Sequence, residues 1–123
     1  MAYEQPGFSF TLPAGQDYSA GAQFRFVDIN SSSQAVDPAA GGSAVGVRQT
    51  RPKSGEATTI VADGISIVEA GGAVTAGALV ATDNVGRVVA ATTGNVILGR
   101  ALEAASASGI QIAVLLYDGN AKA

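Results

Sequence analysis

Apolar and polar positions alternate over short stretches of this chain, and glycine, proline, asparagine and aspartate interrupt them at intervals too close for helices. Phe8-Ser9-Phe10-Thr11-Leu12 and Phe24-Arg25-Phe26 have a period of two, the spacing of a strand that buries one face. Residues 13–17, rich in turn formers, separate them. Residues 28–44 combine serine, asparagine, aspartate, proline and paired glycines without sustained periodicity, and predict an exposed loop. Residues 45–48 predict a short strand, and Arg51-Pro52-Lys53-Ser54-Gly55 a turn after it.

From residue 56 onward the punctuation is regular. Residues 58–62 and 65–68 flank Asp63-Gly64, a pair suited to a two-residue type I′ turn, and predict a hairpin. Residues 79–82 and 87–90 predict a second hairpin across 83–86. Two further β-rich runs, 96–102 and 110–116, flank small residues from 103 to 109 that suit a loop or a single helical turn. The pattern predicts an all-β protein: a compact β-barrel or β-tulip of about eight short strands with an extended N-terminal arm. One domain is expected, made of an aromatic arm with the first strands (1–27), an exposed loop (28–44) and the barrel proper (45–123).

Composition narrows the chemistry. The 123 residues include no cysteine, histidine or tryptophan. Disulfides, thiolate metal sites, cysteine nucleophiles and histidine general bases are therefore excluded. No cofactor is expected. Seven basic residues against ten acidic ones are scattered along the chain, so nucleic acid is not an expected partner, and no run approaches the roughly 20 apolar residues of a membrane helix, so neither is a membrane. The first residues lack the pattern of a secretory signal, which predicts a protein made and kept in the cytoplasm.

Six of the seven aromatic residues precede residue 27: Tyr3, Phe8, Phe10, Tyr18, Phe24 and Phe26. At roughly 150–250 Å² each, their sum is on the order of 1,000 Å², the scale of a specific protein interface. The later strands are rich in valine, isoleucine and leucine and can fill a small barrel themselves. Phe24 and Phe26 are accordingly assigned to the core, and Tyr3, Phe8 and Phe10 to a neighbouring subunit or host lattice, with Tyr18 a further contact candidate. Arg48, Arg51 and Lys53 form the one local basic cluster, read as a solvated turn or as a contact with an acidic protein surface.

Other candidates have plainer explanations. Asp28, Asn30 and Ser32 have the spacing that opens a calcium loop, but Ser33 and Ala39 stand where glycine and glutamate are needed, so Asx turns are expected. Asp63, Asp83 and Asp118 each sit beside glycine or asparagine, where a turn accounts for them.

The order of segments from 51 to 116 resembles a family of tailed-bacteriophage capsid decoration, or cement, proteins. The resemblance is carried by Arg51-Pro-Lys-Ser-Gly-Glu, Asp63-Gly-Ile-Ser-Ile-Val-Glu-Ala-Gly-Gly, Gly86-Arg-Val-Val-Ala-Ala-Thr and Ile97-Leu-Gly-Arg-Ala-Leu-Glu. It implies a homotrimer, assembled in the host cytoplasm, on the outer capsid surface of the virion, that stabilises the head by bridging major capsid protein subunits. It also implies turn or barrel-shaping roles for Gly71, Gly72, Gly77, Gly86 and Gly99, and no active site. Two other readings stand beside it: a small β-sheet binding module for carbohydrate or a host surface, using exposed aromatics as a stacking platform, and a catalytic barrel using carboxylates with Lys53 or Tyr117.

Overall fold

The computed structural model describes residues 4–117, and every regular element among them is a strand. In order they are β1 (Gln5–Pro13), β2 (Arg25–Ile29), β3 (Ala35–Val36), β4 (Gly46–Arg48), β5 (Ala57–Glu69), β6 (Leu79–Thr82), β7 (Val88–Ala90), β8 (Gly99–Ala101) and β9 (Gln111–Leu116). They form one sheet along the path β3-β2-β4-β5-β9-β8-β6-β7, with β1 added to β5. All of these pairings are antiparallel.

The 13-residue β5 organises the sheet. β1 runs along one edge of it, from Pro13↔Ala57 to Gln5↔Ile65. β4 and β9 share the other edge, β4 at Ile60 and Val61 and β9 from Gly64 to Glu69. Two wings leave β5 from this fork, and the sheet curls into a half-barrel. Backbone bonds tie the wings together: Phe26 N donates to Gly86 O at 2.7 Å, and Gly41 N to Thr82 O at 2.8 Å.

The concave face holds the main core, in which Phe26, Val47, Val61 and Val68 pack with Val80, Val88, Ile112 and Val114. Strand alternation sends the adjacent residues Val27 and Ile60 to the convex face, where Ala35, Phe10 and Leu12 cover them. Phe26 is buried and Phe24 half-buried, at a positive φ of 61°.

The 83–86 hairpin forms as its sequence predicts. Thr82 pairs with Val88, and the Asp83 carboxylate accepts the N–H groups of Val85 and Arg87 at 3.0 and 2.8 Å. The predicted hairpin at Asp63-Gly64 does not form, because β5 runs straight through that pair. Ile65 finds strand partners on both edges, Gln5 and Leu115, which a hairpin of β5 on itself would have left unmade. The pair instead makes a bulge. Gly64 keeps its positive φ of 86°, and the register shifts between Pro6 and Phe8 and again between Phe8 and Ser9. Val61 and Val68 are an odd number of residues apart yet face the same core, so the bulge supplies the change of phase.

The segment 28–44, expected as an exposed loop, is partly structural. It finishes β2, contributes β3, and buries Ala35 and Pro38. The N-terminal segment is extended, and it lies along β5 for nine residues instead of projecting from the domain. Residues 103–109 form bends and a bridge from Ala105 to Val74 without a helical turn.

Candidate functional site

Arg48 departs most from its sequence reading: it is fully buried, so it is no surface cation. It lies on the convex side of β4 with Ile60 as its cross-strand partner, and residues 17–24 fold over it. Its guanidinium carbon sits 3.5 Å from the Tyr18 ring centroid, a cation–π contact. Nη1 donates to Ala22 O at 2.9 Å, and Asp37 Oδ1 lies 3.9 Å from Nη2. Ala22 reaches this position at a φ of 70°, a left-handed conformation unusual for alanine. Phe24 N donates to Arg48 O at 2.8 Å, and Tyr18 N to Pro52 O at 2.8 Å. Tyr18 is itself buried, so neither it nor Arg48 is available to a partner; together they rivet the loop to the sheet.

Burial raises the Tyr18 phenol above its ordinary value, and the Asp37 carboxylate nearby adds to the effect. Burial also lowers Arg48, which remains charged. A raised tyrosine stabilises the fold fully below its unfolded value of about 10 and loses that contribution as pH rises through the folded value. Denaturation midpoints at pH 9 and pH 11 should therefore fall more for the wild type than for Tyr18→Phe, which keeps the ring and removes the proton.

Arg51 and Lys53 are exposed on the turn between β4 and β5, and Lys53 N donates to Glu56 Oε1 at 2.7 Å. Of the aromatic candidates, Phe8 is 59% exposed. Phe10 is half-buried against the convex cluster, and their ring centroids are 6.1 Å apart with planes tilted by 32°. Among the described residues the exposed rings are Phe8 and Tyr117, and the Phe8 and Phe10 rings are tilted to each other rather than coplanar. Tyr3 and Asp118 lie outside the described residues.

At the fork of β5, Ala62 and Asp63 fall between the segments paired with β4 and β9. A cleft of ≈ 360 Å³ opens there, lined by Phe10, Phe26, Val45, Ala62, Leu116 and Tyr117. Its lining is chiefly apolar, with Tyr117 its one phenol.

Two of the remaining polar candidates, Asn30 and Asp83, are engaged locally. Asn30 Oδ1 accepts from Ser32 N at 3.0 Å and Gln34 N at 2.9 Å, which makes the 28–34 turn an Asx turn. Asp83 pairs with Arg87 at 2.8 Å. Among the described residues no three His, Cys, Asp or Glu side chains are grouped to hold a metal ion. No helix among them is long and apolar enough to cross a membrane.

The fold and its surfaces define an all-β protein whose distinctive side chains either lock its own loops or stand exposed on its surface. The chain belongs to the phage cement protein family, whose model matches residues 6–116. Its fold is similar to the crystal structure of the head fiber gp8.5 N base of bacteriophage phi29, with a TM-score of 0.74 over 94% of this chain and 98% of that one, at 17% identity. No curated protein sequence matches the chain.

Proposed function

We propose that this protein decorates the outer surface of a phage capsid as a homotrimer and stabilises the head by bridging major capsid protein subunits. The observation that carries this reading is the family match across nearly the whole chain. The proposed contact residues divide by position. Arg51 and Lys53, projecting from the β4–β5 turn, meet an acidic patch of the capsid protein; Phe8 and Phe10, on the convex sheet face, serve contact with a second copy. Tyr3 belongs to the same N-terminal contact segment. Three joined copies present three basic turns, so the later capsid engagements become intramolecular and avidity rises without new kinds of contact.

Cosedimentation of purified protein with expanded heads tests the reading, and saturable binding is expected. Reversing both charges, Arg51→Glu with Lys53→Glu, should leave stability within about 0.5 kcal/mol, as is usual for surface sites. It should also weaken head binding at least tenfold and flatten its salt dependence. Heads that bind neither protein would remove the cement reading. Equal binding by both would move the capsid contact away from this turn.

A further inference from the structure

The register of the sheet brings a row of side chains onto its convex face: Gln5 beside Ile65, Ile65 beside Leu115, Leu115 beside Arg100, and Arg100 beside Leu79. Leu115 and Leu79 are each 37% exposed. Next to this row, Phe8 pairs with Asp63 at the bulge. The result is an apolar strip crossing β1, β5, β9, β8 and β6, roughly 20 Å wide at ordinary strand spacing. It carries an acid near one end and a base near the other.

Both charges are free to meet a partner, as are those of Arg51 and Lys53 on the β4–β5 turn, but only these two flank the apolar strip. Arg25 is paired with Glu69, Arg87 with Asp83, and Arg48 lies near Asp37, whereas neither Asp63 nor Arg100 has an ion pair among the described residues. The acidic β1–β5 flank and the basic β8–β6 flank are complementary to each other, and the occupant this fits is a second copy of this chain, which presents the opposite flank. The charges lie on different strands, and sheet twist turns the β1 flank and the β6 flank in different directions. A contact that joins one flank to the other is head to tail, the kind that closes into a ring.

We infer that copies of this chain join through this strip, with Phe8 and Asp63 of one copy against Leu79 and Arg100 of the next. The inference rests on the proposed trimer and names the faces that build it.

Light scattering after size exclusion, on the full chain, provides the test. Four proteins are compared: wild type, Asp63→Arg, Arg100→Asp and the double reversal, with circular dichroism confirming that each is folded. The wild type should have the mass of three chains. Either single reversal should weaken association at least tenfold, and the double reversal should restore it. Should a reversal fail to fold, the milder Asp63→Asn and Arg100→Gln must each weaken association. A wild-type monomer at every concentration would remove the trimer and this contact with it. A wild-type trimer that both single reversals leave intact would overturn the contact alone, as would singles that dissociate with no rescue in the double.

Discussion

Arg48→Ala is expected to lower stability by about 2–3 kcal/mol, and Arg48→Lys to be at least as damaging. Three contributions are lost: a desolvated cation–π contact of about 2 kcal/mol, a charge-assisted hydrogen bond to Ala22 O of about 1.5–3 kcal/mol, and the packing of a fully buried side chain. Against them stands the recovered desolvation penalty of the guanidinium, several kcal/mol, which keeps the net loss moderate. Asp37, left behind, is partly exposed and can be hydrated. Lysine keeps a charge without a planar group to stack on Tyr18, and its compact ammonium is costlier to dehydrate. Arg48→Met fills the space and removes the buried charge, so it should be the mildest of the three, within about 1.5 kcal/mol. Urea denaturation ranks them. A lysine variant more stable than the methionine one would show that charge, rather than stacking and packing, fixes the loop.

Gly86→Ala should cost about 3 kcal/mol. Gly86 has a φ of 88°, where a side chain costs roughly 1–2 kcal/mol. An added Cβ would also strike the Phe26 carbonyl oxygen and lie 3.0 Å from Arg25 Cβ, an overpacking worth roughly 1–3 kcal/mol. The position matters because Gly86 O accepts from Phe26 N and joins the β6–β7 turn to β2, closing the curl between the wings. Thermal unfolding should show the loss, and hydrogen exchange should show faster exchange at Phe26. Unchanged protection at Phe26 would mean that the wings hold together without this bond.

The all-β class and the 79–90 hairpin were legible in the sequence because local periodicity and turn chemistry agreed with the tertiary pairing. At Asp63-Gly64 they disagreed: the local signal for a turn was strong, but partners from both ends of the chain bound the flanking residues, and the positive φ was used in a bulge. No short-range signal reports such partners. Arg48 was misread for a related reason. A charged residue beside an exposed turn ordinarily points outward, and only the fold shows Tyr18 and Ala22 O waiting on the other side of β4. Phe8 and Phe10, two residues apart on one strand, look equivalent in sequence; the convex cluster covers one ring and leaves the other. The Asp63–Arg100 strip is invisible along the chain because four strand pairings are needed to assemble it.

The sharing of β5 between β1 and β9 has a consequence for how the molecule is made. β1 begins at Gln5 and β9 ends at Leu116, so the central strand acquires its partners from opposite extremes of the described chain. Non-local pairing of this kind places folding in the millisecond-to-second range. With synthesis at about 5–20 residues per second, β5 leaves the ribosome seconds before β9 exists. During that interval the edge destined for β9 is open to other chains, and the nascent protein is at its most prone to aggregate.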